Sequence, residues 1–397
     1  MQKTYTADLK KSRRSTKVLI AMSGGMDSAV AATLLKNQGF ELQGIYFQMV
    51  PPGEKPFGDY CSRCACHKLE NAKTACHQLD IPLQIFDAHG PYHAEVIDHL
   101  VHASLQQKSQ RSCLKCHKNI IFKLLLQRAK ALGCQQISTG HYAQIVQDTV
   151  TGQSFLSKAA DAAQDQSHLL YDLDQETLNQ CIFPLGTLSH SMVEKLAHEM
   201  GIEKTVSPAA AQNVAQTFCF RTKETYIDYV TEHSAQAFRS PGIIRTTDGS
   251  IVGEHEGLFQ FSIGQHEGMK LSGTNSEPLV VVSFEANNQA LIVGARSDLL
   301  KAAVTASEAS WIRPVDAVKP FRCEAKIIGG PHPSTEGACR VTVFENNTVK
   351  VEFDEPRWGL APGQSIVFYE AGEVLGGAVI ERTEGTHASV RAGNEHP

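Results

Sequence analysis

Long apolar runs are missing from this chain of 397 residues. None approaches the roughly 18 to 20 residues of a membrane-spanning helix, so no membrane partner is expected. Behind the basic opening Met1–Lys17 stands only the short apolar stretch Val18–Met22, too little for a secretory leader. Excess positive charge is also missing: 37 Lys and Arg against 42 Asp and Glu leave a formal charge of -5. A nucleic-acid partner must therefore be held by a local patch, because the net charge repels it. The Gly-Lys-Ser/Thr phosphate loop is absent, which argues against γ-phosphate chemistry. There is neither an internal repeat nor a low-complexity tract. What is present is a globular composition, 42% hydrophobic and 20% charged, long enough for two or three domains. Eleven cysteines without a leader point to a reducing, cytoplasmic setting, where thiols serve more often as ligands or nucleophiles than as disulfides.

Texture changes along the chain. Up to about residue 210, short apolar runs alternate with helical stretches. Strands are predicted over Lys17–Met22, Leu42–Phe47, Pro82–Phe86 and Gln136–Thr139, and helices over Ser28–Gln38, Lys68–Leu79 and Asn119–Leu132. That order implies βαβ units and a parallel sheet with its ligand at the strand C-termini. From about residue 240, short strands alternate with Gly, Asn and Pro turns: Gly242–Arg245, Leu279–Phe284, Val341–Phe344, Val349–Phe353 and Ser365–Tyr369. This half reads as small β-barrels. The expected boundaries are a flexible basic extension (1–15), an α/β catalytic domain (16–217), a small central domain (218–276) and a C-terminal β-barrel (277–397).

The strongest local signal is Ser23-Gly24-Gly25-Met26-Asp27-Ser28, between a strand and a helix. Adjacent glycines let the backbone approach an anion, and the helix start aims free N–H groups and a positive dipole end at it. Asp27 is out of place in an anion cradle unless Mg²⁺ or a sharp backbone turn requires it. The pattern resembles the ATP pyrophosphatase (PP-loop) enzymes, which split ATP between its α and β phosphates, adenylate a substrate oxygen and then displace AMP.

Further segments narrow the resemblance. They are Thr139-Gly140-His141-Tyr142-Ala143, Asp165-Gln166-Ser167, Phe183–Gly186, Gly253–Gly257, Ile263–Gln265, Asp354–Pro356 and Pro362–Gln364. In this order they look like the tRNA 2-thiouridylase family over nearly the whole chain, Lys17 to Glu381. The resemblance implies a PP-loop catalytic domain of Rossmann-like α/β fold, a small central domain and a C-terminal β-barrel. It further implies replacement of the 2-oxygen of a wobble uridine by sulfur, with ATP and Mg²⁺, tRNA, and a cysteine desulfurase or sulfur relay as donor. Carried over residue by residue, Ala21, Met22, Ser23, Gly24, Gly25, Met26, Asp27 and Ser28 would hold the ATP phosphates. Phe47 and Gly140 would border the adenosine. His141, Gln164, Asp165, Gln166 and Gln364 would meet tRNA. The catalytic cysteine pair falls on Cys116 and Cys219, one carrying a persulfide and the other resolving it. Lys115, Lys118 and the start of the long helix are expected to favour the Cys116 thiolate.

Several positions depart from that pattern. The family's Asn-Pro-Asp before the first catalytic cysteine is replaced by Arg111-Ser112-Cys113, creating Cys113-x-x-Cys116. Three cysteines, Cys113, Cys116 and Cys219, resemble the [4Fe-4S]-dependent branch of tRNA thiolation enzymes, so cluster and persulfide both stand. Cys61, Cys64 and Cys66, with His67, have a spacing that suits Zn²⁺ or Fe–S, or belong to a cysteine-rich loop. Cys76, Cys134, Cys181, Cys323 and Cys339 stand singly on apolar patterns and read as core. The family's Gly-Gln-Arg becomes Gly264-Gln265-His266, and its arginine-rich strand becomes Ile327–Pro333. Another nucleoside or small molecule as substrate, or a cluster-bound RNA-binding protein without turnover, are the rival readings.

Overall fold

The computed structural model describes residues 16–49, 68–109, 111–148, 150–202, 240–272, 278–285, 288–315, 319–329 and 336–385. They fall into two compact units: Met1–Val96 with Cys113–Val214 and Gly372–Val374, and Ile97–Ser112 with Ala215–Ala371 and Leu375–Pro397. Each is taken by itself.

In the first unit, the run Lys-Val-Leu-Ile-Ala forms β1 (Lys17–Ala21), whose Val18, Leu19 and Ile20 are completely buried. A strand apolar on both faces belongs in the middle of a sheet covered on both sides. β1 pairs in parallel with β2 (Glu41–Gln48) on one side and β4 (Gln136–Ser138) on the other. With β3 (Leu83–Asp87) and β7 (Cys181–Ile182), the order is β3-β2-β1-β4-β7. The chain reverses direction across the sheet at β1, and a crevice opens at its C-terminal end. That is where the glycine loop emerges. Helix α1 (Met26–Asn37) follows, starting two residues before the predicted Ser28 because Gly25, in extended conformation, caps it. Its small residues Ser28, Ala29, Ala31 and Ala32 are buried, and Gly39, at φ 90°, turns the chain out of it. Helix α2 (Lys68–Gln78) buries Ala72, Ala75 and Cys76.

The largest local correction concerns the predicted helix Asn119–Leu132. Helical backbone begins earlier, as α5 (Ser112–Lys115), widens into a π-helical stretch over Cys116–Phe122 and continues as α6 (Lys123–Ala131). Sequence periodicity missed the start because an i→i+5 stretch shifts the apolar face out of its 3.6-residue register. The run from His89, comprising α3 (His89–Tyr92), a π turn (His93–Ile97) and α4 (Asp98–Leu105), escaped prediction for the same reason. The antiparallel pair β5 (Gln144–Gln147) and β6 (Ser154–Ser157) is also unpredicted. Helices α7 (Gln175–Gln180) and α8 (His190–Glu199) have Asp174 and Ser189 as side-chain N-caps.

In the second unit, β8 (Gly242–Thr246), β9 (Ile251–His255), β10 (Val280–Glu285) and β11 (Ala290–Gly294) form a sheet ordered β10-β11-β8-β9. Its small core is Ile244, Leu258, Val281, Leu291 and Val293. Six longer strands make the barrel: β12 (Lys301–Trp311), β13 (Phe321–Ile328), β14 (Glu336–Val343), β15 (Val349–Arg357), β16 (Ser365–Glu370) and β17 (Glu373–Gly385). The order is β12-β15-β14-β13-β16-β17, and pairing of β17 with β12 closes it. Closure removes the free edges that an open sheet of this length would expose. The expected core cysteines are buried. Cys323 and Cys339, though, do not stand singly: they face each other across β13 and β14 with sulfurs 3.7 Å apart.

Candidate functional site

The glycine loop is tightly packed and internally bonded. Gly24 has φ 73°, and a methyl group there would lie 2.0 Å from the Lys68 carbonyl oxygen, so only glycine fits between the loop and α2. Ser23 Oγ accepts from the Gly25 amide at 3.3 Å and donates to Ser28 Oγ at 3.2 Å, while Ser28 Oγ donates to the Gly25 carbonyl at 2.9 Å. These bonds fix the turn and leave the α1 N-terminus to bind an anion. Beside it is a cavity of about 390 Å³ lined by Met22, Gly24, Gly25, Ser28 and, from α2, Asn71, Thr74 and Gln78. Gly140 closes against the loop from the β4 side. A methyl group on it would lie 2.8 Å from the Asp27 carbonyl carbon and from the Ser28 nitrogen. Phe47, at the end of β2, is 8% exposed and meets Phe86 edge to face at 6.1 Å, so it forms the wall of the sheet on that side.

Asp27 answers the question its sequence posed. Its Oδ1 accepts from the Tyr142 hydroxyl at 2.9 Å, and the same hydroxyl lies 3.1 Å from His190 Nδ1. Burial pushes the Asp27 carboxyl upward, and the Tyr142 hydrogen bond and His190 oppose that shift. Asp161 accepts from the His190 amide at 2.8 Å, which ties α8 to the same network. Tyr142 and His190 were not among the residues singled out in the sequence. Tyr142 lies inside the quoted Thr139–Ala143 segment, but nothing in the sequence pointed to His190. Tyr142→Phe removes the donor and keeps the ring. Because that donor favours the ionised carboxyl, its loss raises the Asp27 pKa further. The acidic limb of the pH profile of pyrophosphate release should then move to higher pH, whereas an unmoved limb would show that Asp27 ionisation does not matter.

On the far side of Gly140 lies the cysteine helix. His141 packs edge to face on His117 at 4.8 Å, beside Phe122 at 5.6 Å and Phe183 at 6.1 Å, and its Nδ1 is 2.7 Å from Thr139 Oγ1. His117 Nδ1 donates to the Cys113 carbonyl at 2.6 Å. Burial lowers the pKa of both imidazoles, His141 most, so both are neutral. Cys113 and Cys116 are half-buried. The expectation that Cys116 stands at a helix start is corrected: α5 precedes it, so the helix N-terminal dipole acts on Cys113. Lys118 pairs with Asp172 at 3.2 Å. Arg111 pairs with Glu308 at 3.2 Å, and Ser112 is 2% exposed.

Among the residues expected to meet tRNA, Asp165 and Gln364 are buried, while His141, Gln164 and Gln166 are half-buried. Asp165 is 5% exposed and accepts from the Ala159 and Ser167 amides and the Ser167 hydroxyl; burial pushes its carboxyl up, but His168 and the bonds from Ala159 and Ser167 outweigh it and hold the carboxyl low. Gln166 Oε1 accepts from the Tyr142 amide at 3.0 Å, and the Gln164 amide donates to Asp161 O at 3.1 Å. Gln364, 2% exposed, accepts from the Ala361 amide and donates to the Gly359 carbonyl. Cys61, Cys64, Cys66 and Cys219 lie outside the described residues. Among the described residues, no group of three or more His, Cys, Asp or Glu side chains is placed to hold a metal. No described helix is long and apolar enough to cross a membrane.

Residues 16–223 match the tRNA methyl transferase HUP domain, 227–295 its PRC-barrel domain and 301–380 an aminomethyltransferase beta-barrel domain. A tRNA-specific 2-thiouridylase of Symbiobacterium thermophilum is 35% identical over 92% of this chain and 92% of its own length. The chain belongs to the tRNA-specific 2-thiouridylase family. Another member, from Clostridioides difficile, is 32% identical over 92% of this chain and 98% of its own. Among solved structures, a 4-thiouridine synthetase–RNA complex with bound ATP overlaps 55% of this chain and 51% of its own at 16% identity, with a TM-score of 0.33. The three matched segments agree in order with the α/β, central and barrel architecture of the family.

Proposed function

We propose that this chain is an ATP-dependent tRNA sulfurtransferase that exchanges the 2-oxygen of a uridine, at the wobble position, for sulfur. One observation carries the reading: the segment Gly140–His141 touches the phosphate loop on one side and the Cys113–His117 turn on the other. Nucleotide loop and thiols thus flank a single segment, as coupled adenylation and sulfur delivery require. We place the catalytic domain over residues 16–217, the central domain over 218–276 and the barrel over 277–397.

In the first step the uridine 2-oxygen attacks the α-phosphorus, an O–P bond forms, and the α–β anhydride breaks with pyrophosphate taking the electron pair. The loop amides and the α1 N-terminus stabilise the phosphate charge, and Mg²⁺ accompanies the ATP. Sulfur then attacks C2 and AMP leaves. In a persulfide route, the outer sulfur bonds to C2. The thiolate of the other cysteine in the pair Cys116/Cys219 then attacks the inner sulfur, and a disulfide remains for a thiol reductant to open. A cysteine desulfurase or relay protein reloads the sulfur. Cys113, in the first turn of the helix, and Cys116, three residues further along it, would be two of three ligands, with Cys219, for a [4Fe-4S] cluster. Such a cluster would supply an open iron to carry sulfur. Zn²⁺ on Cys61, Cys64 and Cys66 is the less favoured assignment.

Arg111 and Ser112, standing where the family has its base-facing Asn-Pro-Asp, favour a second reading in which another nucleoside is thiolated. Incubation with ATP, a sulfide or persulfide donor and bulk tRNA, followed by digestion to nucleosides, separates them. 2-Thiouridine is the expected product, a different thionucleoside supports the second reading, and inertness towards all tRNA overturns both.

A further inference from the structure

With a net charge of -5, this chain needs a local patch to hold RNA. The barrel unit carries one at the turn after β15. Trp358, one of only two tryptophans, is 39% exposed there, and the Arg296 guanidinium lies 5.2 Å from its ring centroid. An aromatic of this size is normally buried, and exposing it forfeits hydrophobic stabilisation. The turn is held in shape from within. Gln364 joins the Ala361 amide to the Gly359 carbonyl, and the Ser109 amide donates to the Pro362 carbonyl at 2.8 Å. Gly363, at φ 88°, leaves room for no side chain against Lys108 and Ser109. Two exposed cations stand there, Arg296 against the ring and Lys108 beside Gly363, whereas the half-buried Lys301, in register with Arg357, is committed to the Asp298 carbonyl at 2.9 Å. Asp298, two residues after Arg296, is turned inward and accepts from the Ala295 amide at 3.0 Å.

We propose that Trp358 and Arg296 form a stacking platform for an unpaired nucleobase of the RNA substrate, with a flanking phosphate on Lys108. This rests on the sulfurtransferase reading, since it takes tRNA as the partner. A flat exposed ring with a guanidinium beside it accepts any base face, and a neighbouring cation takes the backbone. Gln364, too buried to reach RNA, then acts as the positioning residue that holds the platform turn.

Titration of the full chain with bulk tRNA, followed by tryptophan emission and by filter binding at several salt concentrations, tests this. Trp311 is stacked on Phe368 at 5.5 Å and supplies a constant background. tRNA should quench the wild-type emission. Trp358→Ala should lose the quench and bind tRNA about tenfold more weakly, Trp358→Phe should lose the quench but keep most of the affinity, and Lys108→Gln should lower the salt slope by about one. Equal thermal melting of the variants shows that the fold is intact. Wild-type quenching with unaltered affinity in Trp358→Ala would overturn the platform alone. Absence of tRNA binding by the wild type would overturn the sulfurtransferase reading with it. Quenching by a purified cysteine desulfurase, and not by tRNA, would assign the patch to a protein partner instead.

Discussion

Cys116→Ser is expected to lower 2-thiouridine formation at least about a thousandfold while leaving tRNA-dependent pyrophosphate release in place. A serine hydroxyl carries no persulfide and ligates no iron, so sulfur delivery stops. The adenylation apparatus, built on the loop and Gly140, stays intact. Nucleoside analysis and pyrophosphate release, measured on the same sample, make the comparison. Cys219→Ser should behave alike, and full sulfur insertion in both variants would remove these cysteines from the site. Cys113→Ser discriminates between the two sulfur chemistries. As a cluster ligand it should strip iron and acid-labile sulfide from the anaerobically purified protein and match Cys116→Ser in severity. In a persulfide route it should cost little, because the transferring pair is Cys116 and Cys219.

Gly140→Ala should reduce kcat/KM for ATP by about a hundredfold, with a smaller loss of thermal melting than Gly24→Ala. The added methyl would stand 2.8 Å from backbone atoms of Asp27 and Ser28, closer than real contacts allow, so either the β4 end or the phosphate loop must move. A displacement of about 1 Å at a positioned phosphate is enough for a loss of that order. Gly24→Ala is a different case. Its methyl would strike the Lys68 carbonyl and its φ of 73° disfavours any side chain, so it should lower stability as well as activity. Measuring melting and ATP kinetics on both variants separates a displaced loop from a damaged fold.

Much of this protein was open to reading from its residues in order. Ser23–Ser28 between an apolar strand and a small-residue helix specified the tight loop and the start of α1, since its chemistry is local: two glycines, two hydroxyls and a helix start lie within six residues. The parallel sheet followed from the alternation of Val18–Ala21 with α1 and β2, because fully apolar runs can be buried only in the middle of a covered sheet. Other features required the tertiary structure. The π-helical stretch over Cys116–Phe122 breaks the periodicity by which a helix is recognised, and so it placed Cys116 inside the helix instead of at its start. Tyr142 and His190, 48 residues apart, meet at 3.1 Å above Asp27, and Cys323 meets Cys339 across two strands; such pairings depend on register and not on spacing. The inward roles of Asp165 and Gln364 likewise became visible only with their partners in place. Local backbone chemistry fixed the shape of the first loop. Long-range packing decided which side chains stand beside that loop and which are committed to holding it.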